Sequence, residues 1–151
     1  MAAHNLYLKN SQVYDVKGDP IPGLLEAKAV MKIKTEPVHR LRQGEMEDIV
    51  SYHTELTLTL PTQNASLKYF IIDQITSGKT PIIPMLLGEH LDKESDDNNK
   101  EIVKFTNIRL VPEELTIFQA KAEGNDKGTY EIRGKTNDNP EFLTKFPDYV
   151  E

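Results

Sequence analysis

Two stretches decide the reading of this chain: Leu25-Glu26-Ala27-Lys28-Ala29-Val30-Met31-Lys32-Ile33-Lys34 and Tyr52-His53-Thr54-Glu55-Leu56-Thr57-Leu58-Thr59-Leu60. In the first, the odd positions are apolar and nearly all the even ones charged. In the second, the even positions are mostly apolar. Period-two alternation marks a strand with one face covered and one face wet. Between the arms runs Glu36 to Asp48, a charged connection that contains Pro37 and Gly44. Residues 24–60 therefore predict one long β-hairpin with a large polar tip.

Such a hairpin is not self-sufficient. Ten residues of strand extend about 33 Å, and an isolated two-stranded ribbon is marginal in water. Its outer edges also carry unpaired backbone groups. Something must cover the apolar face and pair the edges, and further copies of the same chain, closing their sheets into a shared barrel, would do both.

The rest of the chain supports a single β-rich domain spanning 1–151. At 151 residues it is long enough for one core, and 28% charged residues against 38% apolar ones exclude a disordered chain. No apolar run reaches the ~20 residues of a membrane helix. The N-terminus, Met1 to Leu6, has neither a basic nor an apolar region, so no secretory signal and no membrane partner are expected. There is no cysteine, which removes disulfides and thiolate chemistry. A formal charge of −6 argues against sequence-independent nucleic-acid binding, which needs a basic surface.

Residues 1–23 read as an N-terminal arm, with short strands possible at Leu6 to Leu8 and Gln12 to Val16 and a turn cluster from Gly18 to Gly23. After the hairpin, Leu67, Phe70, Ile71 and Ile75 recur at helical spacing. Thr62 to Asn64 offer caps and Gly78 a stop, which predicts one amphipathic helix over 65–76. Pro81 to Gly88 is an apolar strand bracketed by prolines, a pattern that favours a sheet edge or an irregular position. Residues 89–101 form an acidic solvent loop. Strands follow over 101–110 and 114–123, joined as a hairpin through Val111-Pro112-Glu113, and a last strand covers 129–135. The tail from Asn139 reads as a short helix or an extended arm.

Motifs for chemistry fail on inspection. Ser77-Gly78-Lys79-Thr80 has the end of a phosphate-binding loop, but the glycine needed five positions before Gly78 is Asp73. The segment also closes a helix instead of opening one. Asp92 to Asp97 loosely suggests a calcium loop, yet its sixth position is Asp97, not Gly, and its twelfth is Val103, not Glu. His4, His39, His53 and His90 share no ligand spacing. His53 and Glu55 share a strand face, which a polar sheet surface explains without catalysis. Asn64-Ala65-Ser66 is a sequon without a leader to make it usable. The residues argue for no enzyme, no cofactor and no metal site.

The order of elements, and several words within it, resembles the tail-tube proteins of contractile phages, prophage remnants and phage-tail-like bacteriocins, chiefly of Gram-positive bacteria. The words are Tyr52 to Leu60 entering the helix and Asp73-Gln74-Ile75-Thr76-Ser77-Gly78-Lys79-Thr80-Pro81 at its close. Then come Val103 to Leu110, Leu115 to Ala120, and Thr129 to Lys135, with Pro140-Glu141-Phe142 and Lys145-Phe146 behind. The resemblance spans residues 18–147. The acidic 89–101 loop and the Pro81 to Pro84 segment depart from the family pattern.

The resemblance implies a mainly β fold, a β-sandwich or small barrel with one flanking α-helix and the long hairpin. It implies a structural protein of a virion or phage-tail-like particle, assembled in the bacterial host cytoplasm. Six copies form a ring, rings stack, and each copy lends strands to an inner barrel around an aqueous channel. The expected partners are the chain itself, then sheath, tape-measure, baseplate or terminator proteins, with DNA or ions only as passing cargo. A polar lumen makes Glu26, Lys28, Lys32, Lys34, His53, Glu55, Thr57 and Thr59 the lumen-facing candidates. Their mixed Lys and Glu character is expected to limit adhesion of a polyanion. Within the tip, Arg40, Arg42, Glu45, Glu47 and Asp48 are the candidates for ion pairs to the next ring. Two rival readings are the tube protein of type VI secretion and a small-ligand-binding β-barrel whose interior encloses an apolar cavity.

Overall fold

In a computed structural model of the chain, residues 8–40, 44–93 and 99–147 are described. Seven strands and one α-helix alternate in the order β1 (Ser11–Tyr14), β2 (Glu26–Arg40), β3 (Gly44–Pro61), α1 (Ser66–Thr76), β4 (Ile82–Leu91), β5 (Lys100–Arg109), β6 (Thr129–Thr136) and β7 (Glu141–Thr144). All seven strands belong to one curled, antiparallel sheet, ordered β1-β4-β5-β6-β3-β2, with β7 also pairing β5. The expected mainly β architecture with one helix is the one observed.

The core forms where alternation on β3 meets its match on β6. Leu56, Leu58 and Leu60 are buried on one face of β3, and Tyr130 and Ile132 on the same face of β6. Ile71 of α1, Leu86 of β4, and Phe105, Ile108 and Leu110 at β5 close around them. Each fully buried Leu or Ile contributes about 1.5–3 kcal/mol. Gly134 on β6 lies on this inner face, where an added Cβ would stand 2.7 Å from Ile108 Cγ2 and 3.0 Å from Leu110 Cδ2.

The helix begins where predicted, but its cap differs. Ala65 is the N-cap and supplies no side-chain bond. Asn64 instead donates its amide to the Pro22 carbonyl and accepts the Tyr130 hydroxyl on its own carbonyl, tying the N-terminal turn, the helix entry and β6 together. Gly78, at φ +77°, ends the helix as expected, its N–H bonding the Ile75 carbonyl at 3.0 Å. The apolar stripe is only half used, since Leu67 and Ile71 meet the core while Phe70 and Ile75 stay exposed.

Four expectations are corrected. The tip is not a loop over Glu36 to Asp48: β2 runs to Arg40 and β3 starts at Gly44, so the strands pair almost to the end. Pro37 is tolerated because β2 has a partner on one side only. The two ends of the 89–101 segment are strand, with His90 opposite Glu101 and Leu91 opposite Lys100; residues 94–98 lie outside the described ones. The Pro81 to Gly88 strand is at an edge only in part: β1 covers Leu87 and Gly88, while residues 82–86 have β5 as their one strand partner among the described residues. Its ladder breaks at Pro84, opposite Asn107 at φ +50°, where no pairing is made.

The fourth correction concerns residues 114–123, which form no strand. Only Leu115 reaches the core, while Ile117 is 68% and Phe118 83% exposed. The period-two pattern is present, but no sheet edge lies alongside within the chain. Lys68 of α1, itself buried, lies near the Tyr69 and Tyr130 rings and reaches the Ile117 carbonyl at 3.4 Å. The 101–110 and 114–123 hairpin is therefore absent, and β5 joins β6 through a long extended connection. The tail resolves as β7, an extended arm. Of the N-terminal arm, Leu8–Asn10 is a 3-10 turn and Ser11–Tyr14 an edge strand on β4, while residues 1–7 lie outside the described ones.

Candidate functional site

The β2–β3 register fixes what shares a face. Glu26 pairs with Thr59, Lys28 with Thr57, Val30 with Glu55, Lys32 with His53 and Lys34 with Ser51. Residues paired across antiparallel strands project to the same side, so all eight side chains expected on a wet face stand together. The residues between them, Ala27, Ala29, Met31 and Ile33, pair with Leu58, Leu56, Thr54 and Tyr52 on the opposite side.

The wet face is wider than the hairpin. Glu55 pairs with Lys135, Thr57 with Arg133 and Thr59 with Glu131 on β6, and Arg109 of β5 pairs with Lys135. These four charges escaped the sequence reading. The alternation of Thr129 to Thr136 was visible, but nothing local says that β6 pairs with β3 across more than seventy residues of chain.

Electrostatics on this face are organised in cross-strand and same-strand contacts. Glu55 Oε1 lies 3.6 Å from Lys135 Nζ and 3.7 Å from His53 Nε2. The second distance is too long for a hydrogen bond, and His53 Nε2 is out of contact with solvent without a partner. Arg133 Nε donates to Glu131 Oε1 at 2.6 Å, and that bond raises the guanidinium pKa above its ordinary value. Between β5 and β6 only Arg109 and Lys135 pair, so the sheet opens there into a depression of about 490 Å³. His53, Thr80, Arg109, Lys135, Thr136 and Asn137 line it, with Val111.

Outward from the Lys32–His53 pair the hairpin has no third strand, because β6 covers β3 only between Thr54 and Pro61. The pairs from Lys32–His53 to Arg40–Gly44 make a bare ribbon about 30 Å long. Its apolar side is uncovered: Ile49 is 64% and Ile33 53% exposed, and they flank Met31 and Tyr52. With Pro140 and Phe142 these side chains line an apolar groove of about 430 Å³. The register slips by one residue between Lys34 and Thr35, where Val50 is the extra residue on β3. Beyond this bulge the chemistry of the two sides exchanges. Thr35 and Glu47 continue the apolar side, joined by a 3.3 Å hydrogen bond from the threonine hydroxyl, while Val38 and Met46 continue the wet one.

Two of the five tip candidates can be placed, and they lie on opposite faces. Asp48, opposite Glu36, continues the wet side, and Glu47, opposite Pro37, the other. Arg40 pairs with Gly44 and Glu45 with His39 along the backbone, and Arg42 lies outside the described residues. Among the described residues no cluster of three His, Asp or Glu stands in a metal-holding arrangement, and no helix is long and apolar enough to cross a membrane.

No protein-family model matches the chain, and no curated protein is significantly similar to it. Solved structures are. A chain from the sheath–tube complex of an extracellular contractile injection system (PVC) in its extended state superposes with a TM-score of 0.67 at 14% identity, over 94% of this chain and 93% of that one. A chain from the tube-terminating cap of the anti-feeding prophage gives 0.66 at 10% identity, over 96% and 95%. A chain from the tail of an empty gene transfer agent particle, determined with C6 symmetry, gives 0.56 at 15% identity, over 94% and 100%. At such identities the likeness is one of fold, and by that measure this chain has a tail-tube-like fold.

Proposed function

We propose that this chain is the structural tube subunit of a contractile, phage-tail-like particle. Six copies form a ring and rings stack into a hollow conduit for DNA or ions. The observation that carries this reading is the amphipathic ribbon, whose apolar side and outer β2 edge find nothing to cover them among the described residues. In a ring, the next copy covers the apolar side and pairs the free edge, and the wet side of β2, β3 and β6 turns to the channel. Tail-tube-like folds in assemblies of this kind, one with sixfold symmetry, support the same arrangement. The tip then reaches the neighbouring ring, where Arg40, Arg42, Glu45, Glu47 and Asp48 meet charges of the opposite sign. Sheath, baseplate and terminator proteins are the partners of such a tube, and the exposed Tyr69, Phe70 and Ile75 of α1 are available on its outer side.

The rival small-ligand barrel finds no support, because both depressions are open clefts beside charged or exposed side chains. Size-exclusion chromatography with negative-stain electron microscopy tests the proposal. Rings or filaments with a central hole are expected at high protein concentration. Single rings that never stack would make the chain a terminator instead of a tube, and a monomer at every concentration would overturn the reading.

A further inference from the structure

The wet face does not share the chain's acidic excess. Lys28, Lys32, Lys34, Arg109, Arg133 and Lys135 stand there against Glu26, Glu36, Asp48, Glu55 and Glu131, although the whole chain carries −6. Of these carboxylates, Glu55 lies 3.6 Å from Lys135 Nζ and Glu131 accepts a hydrogen bond from Arg133. Lys28, Lys32, Lys34 and Arg109 make no ion pair among the described residues. The hairpin alone suggested a balanced face. The charges that tip it come from β5 and β6.

These donors converge at one place. Where β5 and β6 separate, Arg109, Lys135 and His53 share the 490 Å³ depression with the Thr80 and Asn137 side chains. Arg109 and Lys135 are direct cross-strand partners, which brings their Cα atoms to within about 4.5–5.5 Å of one another. His53 lines the same depression, and its Nε2, shielded from solvent, makes no hydrogen bond. A planar guanidinium, an ammonium, an imidazole nitrogen, a hydroxyl and an amide form the donor set that a tetrahedral oxyanion takes. Glu55, on the same face, lies 3.6 Å from Lys135 Nζ, so it repels an incoming anion less than a free carboxylate would.

The geometry points to an oxyanion site on this face, formed by Arg109, Lys135 and His53, that takes a phosphate group. That group is either free or part of a nucleic-acid backbone. Its place in a conduit rests on the tube reading: repeated around a ring, the site would give the channel a preference for phosphate-bearing cargo, held loosely because each copy offers few contacts. The site itself needs no assembly and is tested without it.

The test is isothermal titration calorimetry of the full chain at low salt with three probes: sodium pyrophosphate, a single-stranded oligo-dT and polyglutamate. Saturable pyrophosphate binding is expected, weakened about tenfold by Arg109→Gln, a change that breaks no described contact. Lys28→Gln/Lys32→Gln/Lys34→Gln should leave pyrophosphate affinity within about twofold while lowering the salt dependence of oligo-dT binding, because backbone phosphates also track the β2 lysines. Oligo-dT binding that survives Arg109→Gln unchanged, while pyrophosphate binding falls, would make free phosphate the ligand. No saturable pyrophosphate binding, indifference to Arg109→Gln, or tighter polyglutamate binding would each overturn the site. Circular dichroism excludes misfolding of the variants. Microscopy of the same samples separates the two claims: tubes without binding defeat the site alone, and binding without tubes defeats the conduit alone.

Discussion

β3 is one strand with two halves, and they live in different physical worlds. From Thr54 to Pro61 it lies between β2 and β6, with Leu58 and Leu60 sealed in the core and Thr57 and Thr59 half-exposed on the other side. From Gly44 to Tyr52 it pairs with β2 alone, and neither side is covered. The inner half alternates cleanly and has β2 on one side and β6 on the other, whereas the outer half carries the Val50 bulge and pairs with β2 alone. Stability resides in the inner half. The outer half leaves its apolar side chains exposed.

The comparison predicts a steep division of mutational effects. Leu58→Ala in the inner half should cost about 2–5 kcal/mol in urea unfolding of the free chain. Gly134→Ala, which drives a methyl group into Ile108 and Leu110, should cost about 1–3 kcal/mol unless those side chains give way. By contrast Ile33→Asp, on the uncovered side of the ribbon, should change free-chain stability by less than about 0.5 kcal/mol and still abolish rings in the microscope. A large loss of free-chain stability there would mean that the ribbon is already supported. Arg40→Glu/Arg42→Glu should leave stability and rings alone and shorten the stacks; unchanged tube length would remove the tip from the ring-to-ring contact.

The smallest effect expected concerns pH. Asp138 accepts hydrogen bonds from Thr106 Oγ1 and Asn107 Nδ2, both at 2.7 Å, and these hold its carboxyl below the usual aspartate range. A depressed folded value means that the contribution is present above the unfolded pKa and fades as pH falls through the folded one. Asp138→Asn should therefore lower the urea midpoint near neutrality and converge on the parent chain in acid. Curves that stay parallel at every pH would remove Asp138 from the acid response.

Much of this division was legible in the residues. Period-two runs gave the strands at 25–34, 52–60 and 129–135, and the eight wet-face positions followed from their phase. The helix and its glycine stop at Gly78 were equally plain. What escaped was pairing. Leu115 to Phe118 alternates like a strand but has no edge to join, and Arg109, Arg133 and Lys135 became neighbours of the hairpin only through contacts distant in sequence. The tip was misread because a bulge at Val50 shifts the phase, so the pattern breaks while the ladder continues. Local sequence reports a residue's preference for a face, and the sheet order decides whose face it is.

The central claim is that the wet side of the ribbon lines a channel. The chain has no cysteine, so Lys32→Cys introduces a unique thiol on that side. Assembled particles carrying it should react with a small methanethiosulfonate reagent and resist a bulky polymer maleimide, while the dissociated chain reacts with both. Equal reaction of the assembled particle with both reagents would place Lys32 on the outer surface and contradict the account.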